Sequence, residues 1–253
     1  MKLRYIINGL VCLFGTLLLS CNKIDPGMDE MKDHAKLIFI NAAPDVRPPV
    51  GNRFLGLFAN FNGLDDVIQP LQFPWTSQYL PYTPGQYTIR IDTARTANAT
   101  IPGRRATVHT LNMTMEADKY YSLFAIDSAQ RPTHLLITDD MSLPARGKVK
   151  VRFLNVSPDA GPIDIVNAAN GNVLAARLTY RQVNQFVEID PADMPNVRIR
   201  DSNTGVFISP ANRRILLEAN NVYTIWATGV RNARPGVTHT LRLAYIANRY
   251  RFQ

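Results

Sequence analysis

Cysteine is nearly absent: the 253-residue chain has two, Cys12 and Cys21, both close to the N-terminus. Everything beyond Cys21 therefore lacks the thiols for a disulfide, a thiolate metal site or a cysteine nucleophile. Histidine is scarce as well. His34, His109, His134 and His239 stand apart, none with a histidine at two- or four-residue spacing, so no metal-binding pair is legible. The chain has no glycine-rich phosphate loop and no Gly-x-Ser-x-Gly elbow. A glycosidase needs two carboxylates roughly 5–9.5 Å apart, and no pair is proposed by the pattern. These absences leave no catalytic residue, no metal site and no cofactor to nominate.

The N-terminus is more informative. Met1-Lys2-Leu3-Arg4 is a short cationic start, followed by an apolar stretch from Tyr5 to Leu19. At about fifteen residues, that stretch falls short of the ~20 that span a bilayer as a helix. It ends in Leu18-Leu19-Ser20-Cys21, where a leucine, a small residue and a cysteine resemble the lipobox of bacterial lipoprotein signals. The expectation is cleavage after Ser20 and lipidation of Cys21, with residues 1–20 as signal peptide and 21–34 as a polar tether containing Pro26 and Gly27. The alternative is an ordinary cleaved signal with an incidental cysteine. The reading places the chain in the cell envelope, at the outer membrane, on either leaflet.

The formal charge is +8, from 28 basic and 20 acidic residues. Loss of the signal removes Lys2 and Arg4 and leaves the chain cationic. That suits anionic headgroups, phosphorylated polysaccharide or acidic partners, and an exported chain is not expected to meet nucleic acid.

An internal repeat organises the remainder. Ile38-Phe39-Ile40-Asn41-Ala42-Ala43-Pro44-Asp45 returns as Arg152-Phe153-Leu154-Asn155-Val156-Ser157-Pro158-Asp159. Leu71 through Tyr79 matches Leu178 through Phe186, Ile89-Arg90-Ile91 matches Val197-Arg198-Ile199, and Glu116 with Tyr121 matches Glu218 with Tyr223. Four matches in one order imply one unit present twice, over 35–145 and 146–253. Within each copy the apolar period is two. Val149, Val151 and Phe153 alternate with Lys148, Lys150 and Arg152, as in a strand with one buried and one wet face. The segment 222–227 is apolar on both faces and reads as a central strand. Pro84-Gly85, Asn170-Gly171 and Asn203-Thr204-Gly205 supply turns. No long helical period follows the signal. The fold class is therefore all-β: two tandem antiparallel β-sandwiches, immunoglobulin-like in broad architecture.

The second copy opens with Val151-Arg152-Phe153-Leu154-Asn155-Val156-Ser157-Pro158-Asp159-Ala160-Gly161-Pro162-Ile163-Asp164, which resembles the opening of the bacterial domain-of-unknown-function family 4397. Leu135-Leu136-Ile137-Thr138-Asp139-Asp140, at the end of the first copy, is similar to it too. The resemblance covers about residues 35 to 246. The first copy departs from it at Ala43 and at Val46-Arg47-Pro48-Pro49. What the resemblance implies is fold and a cell-surface location, with no chemistry to carry over.

Several residues can be weighed individually. Asp45 and Asp159 follow proline at a strand exit; presence in both copies favours a turn that accepts backbone N–H groups over a catalytic carboxylate. Glu116 and Glu218 read the same way. Asp201-Ser202-Asn203-Thr204-Gly205 starts like a calcium loop without its later ligands, and reads as a hairpin turn. Trp226 aligns with Phe124 and reads as core. Trp75 aligns with Gln182, so with Tyr79 and Tyr82 it forms a candidate aromatic surface for stacking on sugar rings; the competing reading has Trp75 covering the longer loop of the first copy. Lys148, Lys150, Arg152, Arg198 and Arg200 form a candidate face for an anionic partner if their strands share a sheet, against the plainer reading of a solvated face. Asp92-Thr93-Ala94 and Asp127-Ser128-Ala129 resemble a short O-glycosylation acceptor motif.

The function expected is a non-enzymatic envelope lipoprotein whose tandem sandwiches serve binding or scaffolding. Its partners are the membrane, through the lipid, and envelope polysaccharide or another envelope protein. Two alternatives stand beside it. One is a glycan-binding accessory lipoprotein of a surface uptake system. The other is a fimbrial-type subunit that lends the alternating segment Thr238–Tyr250 to a neighbour.

Overall fold

The computed structural model describes residues 32–44, 54–63, 70–95, 104–128, 131–209, 214–232 and 239–249. Cys21, the signal, all but the last residues of the tether, and Asp45 lie outside these. The first copy contains β1 (Ala35–Asn41), β2 (Phe54–Phe61), β3 (Leu80–Tyr82), β4 (Gly85–Arg95), β5 (Arg104–Met115), β6 (Tyr120–Ser128) and β7 (Arg131–Asp139). The second contains β8 (Val149–Asn155), β9 (Ile163–Asn167), β10 (Val173–Leu178), β11 (Val187–Ile189), β12 (Val197–Asp201), β13 (Val222–Thr228) and β14 (Arg242–Arg249).

Each copy is a sandwich of a four-stranded and a three-stranded sheet. In the first, β3-β1-β6-β7 faces β2-β4-β5; in the second, β11-β8-β13-β14 faces β10-β9-β12. The protein is thus all-β with two tandem sandwiches. Strand pairing is antiparallel except at the centre of each four-stranded sheet, where β1 runs parallel to β6 and β8 parallel to β13. The first core forms around Leu37 and Phe39 of β1, Ile89 and Ile91 of β4, and Leu123 of β6. The second forms around Val151 and Phe153, Ile163 and Ile165, Ile199, and Ile225. These are the inward positions of the period-two pattern.

The repeated Asn-x-Ala/Ser-Pro-Asp segment has a clear structural task. The buried Asn41 amide donates to the Leu71 carbonyl at 2.7 Å, and its oxygen accepts from Ala43 N–H at 3.1 Å. Asn155 does the same toward Leu178 (3.0 Å) and Ser157 (3.1 Å), and also donates to Gly161. The second match is equally local: the Glu116 N–H donates to the Tyr121 hydroxyl and the Glu218 N–H to Tyr223, both at 3.1 Å. The tyrosine is the working residue of that motif; the glutamate contributes its backbone.

The wet face expected for β8 is dry. All seven residues of β8 are buried, as are those of β1. The cause lies one layer further out. The outer faces of the two four-stranded sheets pack on each other through Ile38, Ile40, Phe124 and Ile126 on one side and Leu154, Val156, Trp226 and Ala244 on the other. The order of layers is therefore three-, four-, four- and three-stranded. Phe124 and Trp226 occupy equivalent positions, opposite Ile40 and Leu154 respectively. They meet across this seam edge to face, with ring centres 5.4 Å apart at 84°. Contact between equivalent residues is what an approximate twofold axis produces.

Replacing Asn41 or Asn155 by alanine strands buried backbone groups and is expected to cost about 1–3 kcal/mol. Asn155→Ala should be the more damaging, since that side chain makes one more bond; denaturant midpoints of the two variants provide the comparison.

Candidate functional site

The outward positions of β8 are where the two copies differ most. Ile38 of β1 lies opposite Ser122, while its counterpart Arg152 lies opposite Thr224. A guanidinium therefore enters an apolar seam. It is 2% exposed and pairs with the Asp139 carboxylate, which is fully enclosed. Desolvating both ions is costly unless their remaining hydrogen-bonding capacity is met. Here it is met by a ring of side chains drawn from both copies. Arg152 Nε donates to Thr224 Oγ1 at 2.8 Å, Thr224 donates to Asn248 Oδ1 at 2.5 Å, and Asn248 Nδ2 donates to the Tyr79 hydroxyl at 2.8 Å. Tyr79 donates to Asp139 Oδ2 at 2.6 Å, and Asp139 Oδ1 accepts from Arg152 Nη2, which closes the circuit. Ser122 braces the carboxylate from inside at 2.9–3.0 Å. Every hydroxyl and amide in the ring both gives and takes. Burial, reinforced by the Asp139 charge, holds the Tyr79 hydroxyl protonated by raising its pKa well above the usual phenol value.

At one mouth of the seam lies an open cleft of about 520 Å³ lined by the end of β7, by β8 and by residues 183–188. Its floor is Phe186, whose ring lies beneath both Lys150 (5.1 Å) and Arg152 (5.0 Å). Lys150 Nζ donates to Asp140 and to Ser142 Oγ, each at 2.5 Å. The Lys150 hydrogen bond and the Ser142 N–H pull the Asp140 carboxyl down to about 2. The cleft is thus a polar mouth around one aromatic ring, in which Lys150 and Arg152 are paired with carboxylates and Glu188 accepts from the Ala145 N–H. Among the described residues no group of three or more metal-ligating side chains comes together.

The proposed basic face is not assembled. Lys148 precedes β8, is exposed, and sits 3.6 Å from Asp190. Lys150 and Arg152 belong to the seam. Arg198 and Arg200 lie on β12, in the other sheet, where Arg200 grips Asp164 through Nη2 at 2.7 Å and Arg198 stacks on Phe207. Two strands of different sheets cannot present one face, and four of the five cations are paired with a carboxylate.

The aromatic trio is dispersed as well. Trp75 is 62% exposed, Tyr79 is locked in the ring, and Tyr82 is buried beside Phe61. Asp159 accepts backbone N–H groups as expected, though from Arg231 (2.8 Å) and Asn232 (3.1 Å), so it ties two distant loops. Asp201 closes the expected turn by accepting from the N–H groups of Asn203 and Thr204. The Thr93 hydroxyl of the first glycosylation motif is buried and donates to the Ala106 carbonyl.

One pairing escaped the linear sequence. His109 on β5 and His134 on β7 bring Nε2 and Nδ1 within 2.8 Å, joining the two sheets of the first sandwich at their edge. Burial first, then His109 and Arg181, lower the His134 pKa from its ordinary value. Spacing could not reveal the pair, because the partners sit on strands that meet only after the sandwich has formed.

Two outcomes follow. Arg152→Met leaves the Asp139 charge buried and unpaired and is expected to cost about 3–5 kcal/mol, whereas Arg152→Met with Asp139→Leu should regain most of it; urea melts of the three proteins would show the order. A histidine pKa that is lower folded than unfolded means the unfolded chain takes up more protons near pH 6. Stability should therefore decline as pH falls through about 6.5, and His134→Gln should flatten that decline in melting temperatures taken between pH 7.5 and 5.5.

A family profile described as domain of unknown function (DUF4397) matches residues 57–166. The match is narrower than the span of resemblance seen in the sequence. It crosses the boundary between copies, running from β2 to β9, and so contains Tyr79, Ser122, Asp139 and Arg152 while Thr224 and Asn248 lie beyond it. No curated protein matches the chain. Residues 57–166 thus match the family of the domain of unknown function DUF4397, within an all-β fold whose four-stranded sheet keeps its strand order in the second copy.

Proposed function

We propose that this chain is a non-enzymatic cell-envelope lipoprotein, anchored through Cys21, whose two sandwiches act as one rigid body for binding or scaffolding. The observation that carries the reading is the ring across the seam. Two modules joined only by a flexible linker would sample many relative placements. A buried ion pair whose every hydrogen bond crosses or braces the seam fixes one placement, so surfaces on both sandwiches are presented at a constant spacing. The chemistry at the mouth agrees: an aromatic ring beneath two cations that are each held by a carboxylate suits recognition better than proton transfer. The envelope assignment rests on the cationic start, the short apolar stretch and the Ser20-Cys21 junction.

Strand lending fits this body less well. β14 pairs with β13 from Thr228 to Val222 and supplies Asn248 to the ring. Withdrawing it would open the ring and expose the second core.

Metabolic labelling with an alkyne analogue of palmitate, followed by fractionation and cross-linking in the native host, tests the proposal. Wild-type protein should carry label, sediment with membranes and cross-link to envelope components. Cys21→Ser should lose the label and leave the membrane fraction; label retained on that variant would sink the anchor.

A further inference from the structure

One end of the first sandwich has a feature that its twin lacks. Three aromatic rings run from the core to the surface. Phe61 contacts Tyr82 at 4.5 Å between ring centres, and Tyr82 meets Tyr87 edge to face at 5.7 Å. The last ring is half-buried and pinned, because the Tyr87 hydroxyl donates to the Thr83 carbonyl at 2.9 Å. In the second copy the matching positions can be read from strand register. Tyr82 opposite Ala35 corresponds to Ile189 opposite Val149. Phe61 opposite Ile89 corresponds to Asn167 opposite Val197, which sets Tyr87 against Pro195. All three aromatics are replaced, so the fold itself does not require them.

Tyr87 separates two depressions that share it and Asn62. One, of about 430 Å³, is walled by the aromatics with Leu80 and Pro81. The other, of about 550 Å³, lies over the outer face of β4 and β5, where Gln86 faces Thr114 and Thr88 faces Asn112. Thr88 donates to Asn112 Oδ1 at 2.8 Å, which leaves the Asn112 amide N–H groups without a partner among the described residues; the side chains of Gln86 and Thr114 are likewise unengaged there. Among the described residues, none lining either depression carries a formal charge, although the chain has 48 Asp, Glu, Lys and Arg side chains, taking its 28 basic and 20 acidic residues together.

We propose that this end of the first sandwich binds a neutral polysaccharide. A pyranose ring has an apolar C–H face and a rim of hydroxyls. A fixed aromatic ring beside an apolar slot meets the first, and a row of uncharged amides and hydroxyls meets the second. An anionic polymer would find no cation among the described lining residues; on that face of β4 the first is Arg90, one outward position beyond Thr88. The inference rests on the reading of the chain as a binding module and names its ligand class. It also moves the aromatic platform from Trp75 to Tyr87.

The full chain, solubilised in detergent, is run in native gels containing a soluble β-glucan, an α-mannan, an arabinoxylan or, as the acidic control, polygalacturonate. At least one neutral polymer should retard the wild type, equally at low and high salt. Tyr87→Ala should weaken that retardation by about tenfold or more, while Trp75→Ala keeps it. Asn112→Ala, an exposed change that spares the core, should weaken it too and serves if Tyr87→Ala fails to fold. Retardation by polygalacturonate alone, or by a neutral polymer without dependence on Tyr87 and Asn112, overturns the inference. So does the absence of any retardation; if envelope partners are still captured by cross-linking, the binding-module reading survives that failure.

Discussion

The Asp139 carboxylate sits where both sandwiches have to agree. It is fully enclosed, it accepts from Arg152 of the second copy, and it accepts from Ser122 and Tyr79 of the first. An ion in that position is tolerable only while the seam is closed around it, because each partner it would lose leaves a charge stranded in an apolar layer. The apolar part of the seam supplies the driving force through Phe124, Trp226 and their neighbours, but apolar contact alone is permissive about register. The ring makes one register far better than its neighbours. With no thiol beyond Cys21 available for a disulfide, the relative placement of the two sandwiches depends on this seam.

The parts of the fold that follow local rules were readable in the chain. Alternation placed Val149, Val151 and Phe153 inward, and they are in the second core. Both-face apolarity marked 222–227 as central, and β13 lies between β8 and β14. The duplicated asparagine and tyrosine announced shared structure, and each makes the same bond in both copies. What stayed hidden depends on the third dimension. Lys150 and Arg152 occupy polar positions of a two-faced pattern, which normally means water. Nothing local says that another sheet will cover that face, and a sequence reading of Arg152 as a surface cation is what the pattern supports. The same holds for Tyr79, whose partners Asp139 and Asn248 are supplied by the far ends of both copies, and for the His109–His134 pair.

Duplication also explains how one unit can be structural on one side and specialised on the other. The motifs common to both copies lie at the strand exit after β1 and β8 and at the turn before β6 and β13, where they hold the sandwich together. The differences collect at the seam, where Arg152 replaces Ile38, and around Tyr87, where Phe61, Tyr82 and Tyr87 have no aromatic counterparts. A surplus of cations in the composition likewise says little about surface potential here. Lys148, Lys150, Arg152 and Arg200 are each set against a carboxylate, and the described residues that line the two depressions beside Tyr87 carry no formal charge.

The asymmetry of the ring bears on assembly. Two copies of one unit packing about an approximate twofold axis could equally pack with copies from another molecule, since a self-complementary patch does not distinguish its partners. The ring removes that ambiguity. A seam built from two first copies would enclose two Asp139 carboxylates with Ile38 where the guanidinium should be. One built from two second copies would enclose two Arg152 side chains with no carboxylate between them. Both alternatives strand like charges in a low-dielectric layer, a penalty of several kcal/mol per uncompensated ion, whereas the first-with-second seam satisfies all of them. The substitution of arginine for isoleucine in one copy, matched by an aspartate from the other, therefore selects the intramolecular pairing by making the competitors worse.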